Sequence, residues 1–143
     1  MKKLIVIILC SVCVILSIFT IKYMNYKSEQ TKIKEENLEY EAFLNKQILG
    51  TELTTFINKA IDNNIKNNVL KDEKGFYIQN DSNSIEIEIK ITDNNKVYKM
   101  EAFYNGGMID FLQNYNLINF ECTKIKYNKI GKVSYMLFEQ KSN

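Results

Sequence analysis

The chain has 143 residues, of which 45% are apolar and 25% charged, with 19 lysines against 17 acidic residues and neither histidine nor arginine. The lack of histidine excludes Ser-His-Asp and Cys-His nucleophiles and histidine metal ligands, and no other catalytic, cofactor-binding or metal-binding motif is recognisable. Nucleic-acid binding is not expected either, because residues 22–143 carry equal numbers of basic and acidic side chains and so lack a basic patch.

The first element is an apolar segment of eighteen residues, from Leu4 to Ile21, with no charge, Asn, Gln, Gly or Pro. As a helix it is about 27 Å long, close to the hydrocarbon thickness of a bilayer. It is longer than the apolar core of a signal peptide, and large side chains such as Phe19 occupy positions where a cleavage site needs small ones. We therefore predict an uncleaved transmembrane signal anchor over residues 4–21, in preference to a cleaved signal peptide, after a cytoplasmic segment of residues 1–3.

Charges at the two ends of this segment give opposing indications of its orientation. Lys2 and Lys3 precede it, whereas four lysines follow it between residues 22 and 34, so a count of charges alone places the C-terminal side in the cytoplasm. A short basic stretch directly before an apolar start is, however, typical of a segment that exports the chain on its C-terminal side. We expect a single-pass protein of the cell membrane with a cytoplasmic N-terminus and the C-terminal domain outside.

Small and weakly polar side chains lie along one stripe of the predicted membrane helix. Cys10, Cys13, Ser17 and Thr20 follow the spacing i, i+3, i+7, i+10, whereas Ile, Leu, Val and Phe occupy the other faces. Small residues allow helix backbones to approach closely in lipid. The stripe is therefore a candidate site for packing against a second membrane helix, although a single span also tolerates such residues without that role.

A polar stalk and two helices are predicted next. Residues 22–37 contain no Gly or Pro and are expected to continue the membrane helix as a stalk. Residues 38–49 have apolar side chains at helical spacing, with Gly50 as the C-cap and Thr51 as the N-cap of the following helix. Residues 52–64 are clearly amphipathic and must face a core with the apolar stripe Leu53, Phe56, Ile57, Ala60 and Ile61.

The remaining residues are predicted as strands and one helix. The strands come from their period-two patterns and the turns between them: 76–78, 85–91, 97–103, 120–127 and 132–139. Asp93-Asn94-Asn95 indicates a hairpin, and Asn105-Gly106-Gly107 opens a helix with an apolar stripe from Met108 to Tyr115. The predicted fold class is α+β. It has an N-terminal transmembrane helix, a helical stalk, then a domain of residues 38–143 with two helices, an antiparallel sheet of four to five strands and one inserted helix.

Three features of the domain have both a structural and a functional interpretation. Gly106-Gly107 at a helix start is a possible anion cradle, but a simple strand-to-helix turn fits better. Glu86 and Glu88 share one side of a strand whose other side is isoleucine, which makes them its solvated face rather than a catalytic pair. Cys122 is the one thiol after the apolar segment, so we expect a buried small apolar residue.

These features favour a single-pass, membrane-anchored protein whose non-catalytic extracytoplasmic domain acts by protein–protein contact in an envelope assembly. Its expected partners are the lipid bilayer at residues 4–21 and another protein or a second copy. The layout is similar to that of pilins and pseudopilins, but their Gly-containing processing signature and early Glu are missing. The alternative is a membrane-tethered sensor of a small ligand or peptide that uses tyrosines and the sheet surface. An enzyme built on Asp, Glu, Lys, Tyr or Cys122 ranks last.

Overall fold

The computed structural model describes residues 2–92, 95–104 and 106–141. The chain forms two compact units, Met1–Glu35 and Glu36–Asn143. Helix α1 spans Lys2–Glu41, so its last turns belong to the second unit. The further elements of the second unit are β1 (Gln47–Leu49), α2 (Gly50–Lys66), β2 (Glu86–Ile91), β3 (Lys96–Lys99), α3 (Glu101–Tyr104), α4 (Gly107–Tyr115), β4 (Asn119–Tyr127) and β5 (Val133–Gln140).

The five strands form one sheet in the order β1-β4-β5-β2-β3, which confirms the α+β class. Three of the four strand pairs are antiparallel, but β2 and β5 run parallel, with Ile87 opposite Met136 and Ile89 opposite Phe138. The sheet is therefore mixed rather than antiparallel throughout. This pair joins strands that are far apart in the chain, and the local pattern of neither strand encodes such a pairing.

The core lies between α2 and one face of the sheet. Ile85, Ile87, Ile89 and Ile91 alternate with polar residues along β2 and are at most 2% exposed. The predicted stripe of α2 packs on this face, and each large apolar side chain buried there contributes about 1.5 to 3 kcal/mol. The core is completed by Tyr40, Ile48, Val69, Tyr77, Met100, Phe103, Phe111, Phe120, Cys122, Val133, Met136 and Phe138.

The helix predicted over residues 38–49 is wrong beyond Glu41, where α1 ends. Asn45 adopts a φ of 57°, in the left-handed region that interrupts a helix. Residues 47–49 then form β1, in which Ile48 pairs with Phe120 and is 1% exposed. Pairing with β4 buries Ile48 as a strand residue, so tertiary context overrides the helical spacing of the segment.

Gly50 and Thr51 are not the caps that the sequence predicts, because Gly50 is the first residue of α2. The residue before the helix, Leu49, is its N-cap. The Leu49 amide donates a hydrogen bond of 3.0 Å to Oε2 of Glu52 in the first turn. A Cβ at Gly50 would lie 2.0 Å from the carbonyl oxygen of Tyr115. Gly50 is therefore required by the close approach of the end of α4 to the beginning of α2.

Two predicted strands also differ from the structure. Residues 76–78 form only an isolated bridge, between Lys71 and Tyr77. The strand predicted over 97–103 ends at Lys99. The Met100 amide still donates to the Ile87 carbonyl at 2.9 Å, and the chain then turns into α3 at Glu101. Met100 is fully buried at this point, so core packing rather than strand propensity decides the path.

The remaining predicted elements are found close to their predicted bounds. Helix α2 and strands β2, β4 and β5 agree with the sequence pattern to within a few residues. Asp93, Asn94 and Asn105 lie outside the described residues, but Ile91 opposite Lys96 places β2 and β3 in an antiparallel pair. Gly106, with a φ of 98°, precedes α4 and joins it to α3, so the double glycine follows a helix and not a strand.

Candidate functional site

The apolar part of α1 is the first candidate site. It is long and apolar enough to cross a membrane, and none of this segment is buried within the protein. Thirteen of residues 4–21 are Leu, Ile, Val or Phe, and Phe19, for example, is 67% exposed. Because so many large apolar side chains are costly to expose to water, the helix is compatible with a membrane anchor.

The predicted stripe of Cys10, Cys13, Ser17 and Thr20 satisfies its hydroxyl groups within the helix. Ser17 Oγ donates to the Cys13 carbonyl oxygen and Thr20 Oγ1 to that of Ser17, both at 2.8 Å. The thiols of Cys10 and Cys13 are exposed. These hydroxyls need no partner in lipid, so packing of the stripe against a second helix stays a prediction.

The second unit presents a polar face on the sheet, which we define by the outward side chains of β2, β4 and β5. On β2 these are Glu86, Glu88 and Lys90, which alternate with the buried isoleucines as predicted. On β5 and β4 they are Tyr135, Leu137, Glu139, Glu121, Lys124 and Lys126. Acidic and basic side chains thus stand side by side on neighbouring strands.

Ion pairs connect the strands of this polar face. Lys90 Nζ lies 2.9 Å from Glu139 Oε1, and Lys99 Nζ lies 2.5 Å from Glu86 Oε1. The hydrogen bond from Lys90 lowers the pKa of Glu139 below its ordinary value, and the one to Glu86 raises the pKa of Lys99. The charged forms of Glu139 and Lys99 are therefore favoured, as in a structural ion network.

Tyr135 occupies the polar face as a hydrogen-bond donor. Its hydroxyl donates to Glu88 Oε2 at 2.6 Å, and Lys126 Nζ lies 4.4 Å from its ring centroid. Burial, and then the hydrogen bond to Glu88, raise the pKa of Tyr135 well above its usual range. The phenol therefore stays protonated at physiological pH, which suits recognition and packing better than proton transfer.

A small aromatic groove, which we define by Tyr98, Phe103, Phe111 and Tyr115, lies beside α3 and α4. Its volume is about 220 Å³, and Asp110 and Asn114 also line it. The rings contact one another, with Phe103 4.8 Å and Tyr115 5.3 Å from Phe111 between centroids. The groove is smaller than the usual ligand pocket of about 300 to 1,000 Å³, so it fits only a small group.

Of the aromatic side chains in the second half of the chain, some build the core and others reach the surface. Phe103, Phe120 and Phe138 are buried, whereas Tyr104 and Tyr127 are 43% and 50% exposed. The Tyr127 hydroxyl donates to Glu41 Oε1 at 2.8 Å. Exposed tyrosines supply contact area together with a hydrogen-bonding group, which is typical of protein-contact surfaces.

Cys122 is fully buried in β4, as the sequence predicts. Burial raises the pKa of its thiol to about 11, so the reactive thiolate is not formed at physiological pH. Cys122 is therefore a packing residue and not an accessible nucleophile in the folded protein.

Two asparagines that no motif in the sequence marks out hold the second unit together. Asn64 is fully buried, and its amide donates to the Ile85 carbonyl at 2.7 Å and accepts from the Ile85 amide at 2.9 Å. Asn37 bonds in the same way to Gly131 and Val133, at 2.7 and 2.8 Å. Each lies at helical spacing from apolar residues, which is the signal that could have identified these side chains in the sequence.

Comparisons of the chain with protein-family models, with curated proteins and with solved structures found no match. Among the described residues, no group of three or more Cys, Asp or Glu side chains is arranged to hold a metal ion. The second unit contains paired charges, an aromatic groove and exposed tyrosines.

Proposed function

We propose that the chain is a single-pass, membrane-anchored protein whose extracytoplasmic α+β domain acts by protein contact in an envelope assembly. The observation that carries the proposal is the apolar segment of α1, none of which is buried by the rest of the protein. A bilayer removes these side chains from water, and an uncleaved anchor then keeps the domain at the membrane surface.

The orientation that we propose places residues 1–3 in the cytoplasm and the second unit outside. A pair of introduced cysteines, each in a chain with Cys10 and Cys13 replaced by serine, tests it, since Cys122 is buried and does not report on topology. Glu73→Cys, in an exposed turn, is expected to react with a membrane-impermeant maleimide in intact cells, whereas Lys3→Cys reacts only after permeabilisation. The reverse pattern contradicts the orientation and leaves the anchor itself intact.

The polar face of the sheet supports a role in contact rather than catalysis. Several of its charges are paired: Lys90 with Glu139 on the face itself, and Glu86 with Lys99 of the neighbouring β3. Such pairs are worth only about 0 to 1 kcal/mol each near the surface, so they can exchange partners at an interface at little cost. The pairing lowers the pKa of Glu139 and raises that of Lys99, so both move away from physiological pH, whereas acid–base catalysis needs a pKa close to it.

Exposed apolar side chains indicate where a partner can bind. Leu70 and Ile78 are 73% and 49% exposed, and they lie side by side because the Ile78 amide donates to the Leu70 carbonyl at 2.8 Å. We call these two residues the contact pair. The buried centre of a protein interface is more apolar than the rest of the protein surface, so adjacent exposed apolar side chains are suited to that position.

Photo-cross-linking in native membranes tests this proposal. A benzophenone side chain at Leu70 is expected to capture a discrete partner protein or a second copy of the chain. The matched control places the benzophenone at Glu73, which is exposed in the same loop but outside the contact pair, and we expect it to form a weaker adduct. Recovery of the chain only as a monomer from every exposed position contradicts a function by protein contact.

The second candidate function is a membrane-tethered sensor, and the aromatic groove is the observation that favours it. Its rings and the nearby Asp110 suit a small aromatic or cationic group. NMR of the chain labelled at Tyr and Phe, titrated with phenethylamine, tests this function. Shifts confined to Tyr98, Phe103, Phe111 and Tyr115 support it, and unchanged spectra at millimolar ligand count against it.

A further inference from the structure

We infer that one side of α1, just after the apolar segment, lies against anionic lipid headgroups. The residues that make this contact are Lys22, Tyr23, Tyr26 and Lys27, which we call the basic–aromatic side. The inference rests on the proposed membrane anchor, and adds which side of the helix faces the lipid surface and which headgroup chemistry it binds.

Helical geometry brings these four residues together. An α-helix advances about 100° per residue, so the four positions fall within an arc of about 140°. The preceding Phe19, at the end of the apolar segment, points in the same direction. Tyr23 and Tyr26 project from the helix with 67% and 61% of their surface exposed. The basic–aromatic side is thus a continuous surface of two rings between two ammonium groups.

The rest of the circumference has a different chemistry. Met24 and Asn25 lie at the same height along the helix as the two tyrosines but outside the arc, and both are uncharged. The small-residue stripe from Cys10 to Thr20 falls within a separate arc of about 80° that points in the direction of Met24. Side chains suited to headgroups and side chains suited to close helix packing therefore lie on different sides of α1.

The chemistry of the basic–aromatic side identifies its partner. Tyrosine favours the level of the headgroups, where its ring is in an apolar layer and its hydroxyl is in water. Lysines beside it extend along the helix to the phosphates and are attracted by anionic lipids. Charge complementarity thus favours a bilayer that contains an anionic phospholipid such as phosphatidylglycerol. In such a bilayer α1 lies with the basic–aromatic side turned towards the headgroups.

Single tryptophans test the inference, because the chain contains none. The full chain is reconstituted in vesicles of phosphatidylcholine and phosphatidylglycerol that carry nitroxides near the headgroup. We expect Tyr23→Trp and Tyr26→Trp to be quenched at least about twofold more than the controls Met24→Trp and Asn25→Trp, which have the same mean position along the axis. Adding Lys22→Gln and Lys27→Gln to Tyr23→Trp should reduce its quenching to the level of the controls.

Each contrary outcome is distinguishable from failure of the anchor. Ile15→Trp, in the middle of the apolar segment, reports insertion through quenching by nitroxides deep in the acyl chains. Equal headgroup quenching of all four interfacial tryptophans, with Ile15→Trp quenched, overturns the inference and leaves the anchor standing. An unquenched Ile15→Trp overturns both. A benzophenone at Tyr23 that captures a protein instead of lipid in native membranes overturns the inference in favour of a protein contact.

Discussion

Aspartates placed in the middle of the apolar segment provide a graded test of membrane insertion. The thirteen Leu, Ile, Val and Phe residues between positions 4 and 21 favour insertion by about 4 to 8 kcal/mol in total. Val12→Asp costs about 2.5 to 3.5 kcal/mol, so this variant is still expected to insert. The triple variant Leu9→Asp, Val12→Asp, Ile15→Asp costs about 7.5 to 10.5 kcal/mol, more than the remaining residues supply, and should not insert.

Alkaline carbonate extraction of isolated membranes measures this difference. The single variant should stay in the membrane pellet, and the triple variant should appear in the soluble fraction or be degraded. The matched control replaces Leu9, Val12 and Ile15 by alanine, which removes the same side chains without adding charge, and it should stay in the pellet.

Two results refute this reasoning. Retention of the triple Asp variant shows that something other than the apolar segment holds the chain at the membrane. Release of the single Asp variant or of the triple Ala variant shows that the segment lacks the insertion free energy assigned to it, and the proposed anchor fails.

Three further predictions concern the stability of the full chain in detergent, measured by urea unfolding. Asn64→Ala should lower the free energy of unfolding by about 2 to 4 kcal/mol, because both backbone groups of buried Ile85 lose their partners, whereas the exposed Asn114→Ala should change it by less than about 0.5 kcal/mol. Burial raises the pKa of the Cys122 thiol from 9.0 to about 11. The stabilisation of the folded state by the protonated, buried thiol is therefore complete below pH 9 and is lost as the pH rises through about 11. Over this interval the free energy of unfolding should therefore fall less for Cys122→Ala than for the wild type. An equal fall in both proteins contradicts the raised pKa of Cys122. The hydrogen bond from Lys90 lowers the pKa of Glu139. The stabilisation by this ion pair is therefore present at pH 7 and is lost as the pH falls through the lowered pKa. Glu139→Gln should be destabilised by about 0.5 to 1 kcal/mol at pH 7 and by less at pH 3.

The elements with a strong local pattern are those that the sequence predicts correctly. The apolar stripe of α2 and the alternating isoleucines of β2 specify both the type of element and its buried face. Strands β4 and β5 are likewise bounded by turn residues, including Gly131 with a φ of 83°. In these segments local propensity and tertiary packing favour the same conformation.

The errors occur where a distant partner decides the conformation. Ile48 belongs to a segment with helical spacing, but pairing with Phe120 makes it a strand residue. The chain leaves β3 at Met100, whose side chain is fully buried in the core. Gly50 is defined by the approach of Tyr115, which is 65 positions away in the chain. No local pattern contains these partners, so the sequence alone cannot predict them.

For the candidate sites, the sequence predicts which side chains are available better than it predicts which of them contact one another. The apolar segment and the solvated side of Glu86 and Glu88 are visible as patterns in the sequence. The pairing of these carboxylates with Lys99 and Tyr135, and the aromatic groove beside α4, depend on strand order and helix packing. The parallel pairing of β2 with β5 brings Tyr135 to Glu88, and nothing within either strand predicts it.

Mass spectrometry of the adduct formed from the contact pair in native membranes tests both halves of the proposed function at once. We expect a discrete protein cross-linked through position 70, attached to a chain that retains residues 4–21 and is extracted only with detergent. A shortened chain that lacks those residues, is found in the medium and forms no adduct contradicts a membrane-anchored protein that acts by contact.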